Sequence, residues 1–485
     1  MADKNTFYLT TPIFYPNAKL HMGHAYTTTL SDIIVRYQRL MGKETYFLTG
    51  SDENTQKMVD AARKAGKEPL EFLDEIVGNF KNLFSELGIS YDQFIRTTDE
   101  KVHWPGAQAL WKRLVDAGDI YKKEYEGLYC VGHEAFITEK DLVDGKCPDH
   151  GTVPELIKEE NYFFKLSKYT QPIKEKITSG ELRIIPETRK HEILSLLDSG
   201  LEDVSFSRPR KADWPKGLGI PVPGDDSQVM YVWCDALANY ITALGYGRDE
   251  ALYQKFWQKD GERMHVIGKD ILRFHAAIWP GMLLSANLPL PRTILVHGFI
   301  TSGGKKMSKS LGNVIDPEEL LQEYGVDAMR YFLARHISPF EDGDITREHF
   351  KEAYNADLAN GLGNLVARIM QLANTHLDKS VYSENTTFRV EDSSLKNAIE
   401  HFDIQLYMAL IWIHISNLDQ AIQTKQPFKV VKENKELGVQ IITEFVKEVA
   451  LIAKMIEPVM PSTSKKIIEA VLQNRKPENL FQRKD

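Results

Sequence analysis

Cysteine is scarce in this chain, with three in 485 residues, which excludes a disulfide scaffold. No stretch approaches the ~18 uninterrupted apolar residues of a membrane span, and Met1-Ala2-Asp3-Lys4-Asn5 begins neither a secretory signal nor an Arg-rich transit sequence. A cytoplasmic protein without a membrane partner is the expectation. Internal repeats and low-complexity tracts are missing, and 31 Gly and 21 Pro exclude collagen-like and wholly disordered classes. Excess charge of one sign is small as well. Sixty basic residues against 68 acidic leave a net charge of -8, so a nucleic-acid partner has to be met by a local basic face.

What is present is an ordinary globular composition, 42% hydrophobic and 26% charged, on a chain longer than a single core of up to ~250 to 300 residues, so several domains are predicted. The β-prone start Thr6-Phe7-Tyr8-Leu9-Thr10-Thr11 runs into a loop with Pro12, Pro16 and Asn17. From Gly23 to Met41, Ala25, Leu30, Ile33, Ile34, Tyr37 and Leu40 recur at helical spacing, and Gly42 follows as a cap. Thr45 to Gly50 then reads as a second buried strand, giving a strand-helix-strand unit of parallel-sheet type. The same pattern returns near Val229 to Trp233, Met264 to Gly268 and Thr293 to Gly298.

These segments divide the chain into the first half of an α/β sheet domain (1–115), an inserted connective subdomain of short β-prone pieces (116–225), the second half of the sheet domain (226–344) and an α-helical domain (345–485). Within the helical part, Leu358 to Leu377, Leu395 to Thr424 and Val430 to Ile456 are helix-prone. Asp378 to Ser394 reads as an exposed connection and Gln473 to Asp485 as a tail.

Three clusters carry chemistry. His21-Met22-Gly23-His24 lies where the first loop enters the helix, so both imidazoles project from a first turn, where anions are attracted, and Gly23 admits a close ligand. Gly303-Gly304-Lys305-Lys306-Met307-Ser308-Lys309-Ser310 joins two glycines to three lysines and so suits a polyphosphate, although a solvated Lys-rich turn has the same text. Cys130-Val131-Gly132-His133 and Cys147-Pro148-Asp149-His150, 13 residues apart, offer two thiolates and two imidazoles. That set suits tetrahedral zinc in a closed, structural site. A metal-free turn that merely retains the residues is the alternative.

Taken together in this order, the HxGH and KMSKS segments resemble the paired signature of class I aminoacyl-tRNA synthetases. Thr11 to Asn17, Glu160 to Leu166, Gly219 to Gly224, Tyr231-Val232-Trp233, Ile267 to Ile271 and Phe274-His275 look like the methionyl-tRNA synthetases, over roughly residues 5 to 470. The resemblance implies a Rossmann-type parallel sheet interrupted by a small zinc-knuckle insertion and followed by an α-helical anticodon-binding bundle. It also implies synthesis of methionyl-adenylate from L-methionine and ATP with magnesium, and acyl transfer to tRNA(Met). A catalytically silent tRNA-binding relative would share the fold but would not need the full set of HxGH and KMSKS residues.

Carried onto this chain, the family's residues are His21, His24, Lys306 and Lys309 for catalysis, with Gly23, Gly268, Asp270 and Val296 also at ATP. Asp52 accepts the methionine ammonium. Ile13, Tyr15, Trp233, Ala236, Leu237, Tyr240, Ile271 and His275 line the side-chain pocket, with Tyr15 and His275 placed to orient the sulfur. Asn364, Arg368 and Phe428 match the anticodon face, and Cys130, His133, Cys147 and His150 the zinc knuckle. The chain departs from the family in having Asn54-Thr55 where His-Gly is commoner, Phe428 in place of Trp, and histidine at both second knuckle positions. With no further domain beyond the helices, a monomer is expected.

Overall fold

The computed structural model describes residues 5–130, 135–137, 139–148, 151–211, 214–307, 312–382 and 392–485. Two compact units emerge. One takes in the chain up to Lys19, Met41–Lys81 and Tyr91–Val296; the other takes in Leu20–Leu40, Asn82–Ser90 and His297–Asp485.

The first unit is organised by a six-stranded sheet formed by β1 (Thr6–Phe14), β2 (Glu44–Ser51), β3 (Gln93–Arg96) and three strands from farther along the chain. Before those come α2 (Gln56–Lys64), α3 (Pro69–Glu86), α4 (Trp104–Asp116), β4 (Ile120–Cys130) and β5 (Glu155–Phe164), with α1 (Met22–Leu40) following β1 in the chain. The remaining sheet strands are β6 (Arg183–Ile185), β8 (Glu262–Gly268) and β9 (Thr293–His297), while β7 (Asp225–Met230) and α5 (Val232–Thr242) lie between β6 and β8 in the chain. The sheet order is β3-β2-β1-β8-β9-β6, and β1 pairs in parallel with both β2 and β8. Strand order thus reverses beside β1, and in open α/β sheets ligands gather beyond the carboxyl ends of the strands at such a reversal.

β1 is buried on both faces, as strands of a covered parallel sheet are: Phe7, Tyr8 and Leu9 are all nearly inaccessible. Its register against β2 slips between Thr10 and Ile13. Pro12 has no N–H for the ladder, and Thr11 spends its hydroxyl locally on Pro12 O and Thr49 Oγ1. Beyond this bulge pairing resumes, Ile13 facing Gly50 and Phe14 facing Ser51, and the strand ends just before Tyr15. Beneath the sheet, Trp111, Trp257, Trp279 and Tyr240 share one large apolar core.

Two sequence expectations change here, and one strand is new. Val229 to Trp233 is no parallel-sheet strand: β7 pairs antiparallel with Ser207–Pro209 and ends at Met230, and α5 begins at Val232, so Trp233 rides a helix. The stretch 116–225 holds the antiparallel β4–β5 pair, but it also lends β6 to the parallel sheet, paired with β9. β3, too short to register as a pattern, completes the other edge.

In the second unit, α1 follows its expected periodicity, burying Ala25, Leu30, Ile33, Ile34 and Tyr37. A small sheet is built from β10 (Ile300–Ser302), β11 (Lys305–Lys306) and, after α6 (Val326–Arg335), β12 (Gly343–Asp344). Beyond these come α7 (Asn364–His376), α8 (Ile404–Lys425), α9 (Lys435–Ile456) and α10 (Pro461–Leu472), with α9 packing against α7, α8 and α10. No described helix is long and apolar enough to cross a membrane.

The long helical segments read from the sequence are subdivided. Leu395 to Thr424 breaks at Phe402, whose φ is +62°, and Asp403 then caps α8 by accepting from Leu406 N. Val430 to Ile456 breaks at Asn434, which caps α9 through Leu437 N. Tyr354–Gly363, ahead of α7, is π-helical rather than α-helical. The closing segment has no regular structure, yet it is held: Asn355 exchanges hydrogen bonds with Lys484 at 2.7 and 2.9 Å, and Tyr354 donates to Gln482 O. Most of the connection expected at Asp378 to Ser394, residues 383–391, lies outside the described residues.

Candidate active site

The carboxyl ends of β1, β2, β8 and β9 carry Ile13 and Tyr15, Asp52, Gly268 and Asp270, and Val296. The first unit thus brings the expected methionine and nucleotide residues to one edge of its sheet. Asp52 is buried, and the Tyr240 hydroxyl is raised well above its ordinary pKa chiefly by its own burial, opposed by Asn239 and aided by the Asp52 charge. Trp233 stacks flat on Phe274 at 3.7 Å between ring centroids and meets His275 edge-on at 6.1 Å. Ala236, Leu237 and Tyr240 line the buried side of α5.

His275 sits on a π-helical turn, Phe274–Ile278, and both its ring nitrogens are occupied. Nδ1 is 2.9 Å from the Ile271 carbonyl, which can only accept, so Nδ1 bears the proton; Nε2 then accepts the Tyr240 hydroxyl at 2.6 Å. Burial lowers this imidazole to about 4, with the Ile271 hydrogen bond opposing, and the ring is neutral at physiological pH. His275 therefore orients Tyr240 and keeps no ring N–H for any other partner. Tyr15 stays half-buried, with Lys57 Nζ 4.8 Å from its ring centre.

The departure at Asn54-Thr55 has a structural account. Thr55 caps α2 through Met58 N. Asn54 is buried and engages both its ends: Nδ2 donates to Asp235 Oδ2 at 2.7 Å and to Thr97 O at 3.0 Å, while Oδ1 accepts from Gly219 N at 2.9 Å. Asp235 and its partner His103, 2.6 Å apart and fully buried, did not stand out in the sequence. The only signal was the unusual Asn54 itself.

In the second unit the HxGH segment opens α1. His21 Nδ1 accepts from Gly23 N and His24 Nδ1 accepts from His21 N, each at 3.0 Å. Both histidines are neutral, because burial, assisted by Lys306 at His21 and by His21 at His24, lowers their pKa values. A neutral ring whose Nδ1 accepts must carry its proton on Nε2, so the segment presents two Nε2–H donors from imidazoles 3.8 Å apart. At Gly23 an added Cβ would lie 2.9 Å from the His21 ring, so a side chain there would displace the donor.

Gly303 and Gly304, at φ of +62° and +70°, form the two-residue turn between β10 and β11. Asp344 accepts from Gly304 N at 2.8 Å and from Thr301 Oγ1 at 2.7 Å, which fixes the turn to β12. Lys305 and Lys306 are exposed on β11, and the Lys306 carbonyl is held by Asn313. Lys309 lies outside the described residues, as do His133 and His150.

The family model for class I tRNA synthetases (M) matches residues 7–152 and 149–370. The Methionine--tRNA ligase of Clostridium acetobutylicum is 44% identical over 482 residues, covering 96% of this chain and 73% of that protein. The chain belongs to the methionyl-tRNA synthetases. The ligase of Caldanaerobacter subterraneus is 42% identical over 479 residues, covering 96% of this chain and 74% of its own. Among solved structures, Mycobacterium tuberculosis methionyl-tRNA synthetase in complex with methionyl-adenylate superposes on this synthetase with a TM-score of 0.87 at 36% identity, covering 99% of both chains. Its apo form gives 0.82 at 33% identity, covering 100% of this chain and 99% of that one.

On the helical side, Asn364 and Arg368 are exposed one turn apart on α7, and Phe428 is 45% exposed. Arg368 is paired with Asp419 of α8 at 2.7 Å, so a base contact by its guanidinium would exchange that partner. Cys130 ends β4 and Cys147 opens a turn closed by Cys147 N to Thr152 O and Gly151 N to Cys147 O; both thiols are buried. The two thiols are the part of the expected Cys/His set that the described residues include, and thiolate is a donor that suits zinc. Among the described residues no group of three or more metal-binding side chains is assembled.

Proposed function

We propose that this synthetase activates L-methionine by attack of its carboxylate on the α-phosphorus of ATP, expelling pyrophosphate, and then transfers the methionyl group to the 3'-terminal adenosine of tRNA(Met). Asp52 accepts the ammonium, and Ile13, Tyr15, Trp233, Ala236, Leu237, Tyr240, Ile271 and His275 enclose the thioether. Gly268, Asp270 and Val296 receive the adenosine. His21 and His24 donate Nε2–H to the phosphates, while Lys306 and Lys309 offset the charge that builds on pyrophosphate, with magnesium entering on ATP itself. The substrate carboxylate is the nucleophile, so the protein's part is positioning and electrostatics.

The observation that carries this reading is the tautomer of the two histidines, fixed by backbone donors on both Nδ1 atoms. Asn364, Arg368 and Phe428 are assigned to the anticodon loop, and Cys130, His133, Cys147 and His150 to one structural zinc, which would tie together segments too small to bury a core of their own. The four-part division at 115, 225 and 344 and a monomeric state complete the proposal. Pyrophosphate exchange with each of the twenty amino acids tests it: methionine alone should support exchange, and Lys306→Ala should abolish most of it. Exchange with no amino acid from folded protein would overturn the reading. Metal content near one zinc per chain, lost in Cys130→Ser together with chelator-sensitive stability, checks the knuckle; a metal-free wild type removes it.

A further inference from the structure

Asn54, Asp235, His103 and Thr242 form a closed polar chain inside the first unit, and all four are buried. Thr242 Oγ1 meets His103 Nδ1 at 2.7 Å, His103 Nε2 meets Asp235 Oδ1 at 2.6 Å, and Asn54 Nδ2 meets Asp235 Oδ2 at 2.7 Å. Each carboxylate oxygen of Asp235 thus holds one donor. Both Asn54 donors are committed, since its second N–H goes to Thr97 O, and its carbonyl accepts from Gly219 N. The chain begins two residues from Asp52, enters α5 at Asp235, between Trp233 and Tyr240, and returns through His103 to the last residue of that helix, Thr242. Glu53, also buried, adds a second anchor through Arg96 at 2.8 Å.

We infer that Asn54 is a positioning residue for methionine recognition: joined through Asp235 to His103, it fixes the distance between the Asp52 carboxylate and the aromatic face of α5. The inference deepens, and depends on, the reading of Asp52 as the ammonium acceptor. An asparagine is suited to this place because a planar amide donates twice and accepts once from a single short side chain, linking three segments that are far apart in sequence. These four residues lie among the groups assigned to the amino acid, so the expected effect is confined to the amino acid and spares ATP.

The test compares two competitive probes on the purified full chain. Methioninol keeps the ammonium; 4-(methylthio)butanoate lacks it. Asn54→Ala should raise the inhibition constant for methioninol and the KM for methionine by about tenfold to a hundredfold, the scale of a displacement near 1 Å, while 4-(methylthio)butanoate binding and the KM for ATP move less than about threefold. Thr242→Val, which removes only the far donor, should shift methioninol in the same direction by a smaller factor and serves if Asn54→Ala does not fold. Equal weakening of both probes, or unchanged methioninol binding in the two variants, overturns the inference. Asp52→Asn separates the two levels. If it leaves methioninol binding unchanged, the ammonium assignment is what fails, and the positioning role fails with it. If it weakens methioninol while Asn54→Ala does not, the positioning role alone fails.

Discussion

Arg330 of α6 is fully buried, and replacing it by methionine is the sharpest stability test in the second unit. Its guanidinium pairs with Asp32 of α1 at 2.7 Å and donates to three carbonyls: Val459 at 2.7 Å and Leu87 and Pro458 at 3.1 Å each. Arg330→Met removes the cation and leaves Asp32 buried with only Arg36 at 2.6 Å and the Ser90 N–H and hydroxyl for support. Stripping one partner from a buried pair costs about 3 to 5 kcal/mol, and the three orphaned carbonyls keep the effect toward the upper end.

The effect has a definite pH dependence. Burial pushes the Asp32 carboxyl up, but Arg330, Arg36 and Ser90 outweigh it, and the net pKa is lowered. A carboxyl lowered in the folded state contributes stability that is present above its unfolded value of about 3.9 and is lost as pH falls through the folded value. Without Arg330 the burial effect loses its main opponent, the folded-state value rises, and the variant recovers part of its deficit when Asp32 takes up a proton. The gap between wild type and variant should therefore be widest at pH 7 and narrow toward pH 4. Urea unfolding followed by circular dichroism at both pH values measures it. A loss under about 1 kcal/mol at pH 7, or the same loss at pH 4, would refute the reasoning.

Four other outcomes are expected. His24→Asn retains an acceptor for His21 N and deletes the Nε2–H donor, so kcat for adenylation should fall about a hundredfold to a thousandfold with stability nearly unchanged, read by pyrophosphate exchange beside thermal melting. Tyr240→Phe leaves His275 Nε2 buried without its donor and should lower stability by about 1 to 3 kcal/mol and raise the methionine KM. Burial holds His275 and His297 at about 4, so the unfolded chain binds more protons between roughly pH 6.5 and pH 4; the neutral rings stabilise the fold above that window and the contribution is lost on acidification through it, a slope that His275→Gln should reduce in melting temperature against pH. Gly304→Val forces a β-branched residue to φ near +70° and should cost about 1 to 3 kcal/mol locally, seen as faster proteolysis at the β10–β11 turn and a lower kcat.

The sequence by itself determined what depends on local pattern and on residue chemistry. Strand β1, helix α1 with Gly42 at +78° after it, and the strands β2, β8 and β9 all follow from periodicity and turn residues, which act over a few positions. The HxGH and Lys-rich segments were legible because their composition is unusual and their order along the chain is informative. Tertiary structure decided what depends on partners remote in sequence. Trp233 belongs to a helix because β7 stops at Met230 and the chain turns into α5 at Val232, and a three-residue strand from the middle of the chain, Arg183–Ile185, joins the sheet because β9 offers it an edge. Asn54, a departure in the text, becomes intelligible only through Asp235, 181 residues away, which accepts its hydrogen bond. The same holds for protonation. Whether His21, His24 and His275 are donors or acceptors is set by backbone groups and burial, quantities that exist only once the chain has folded.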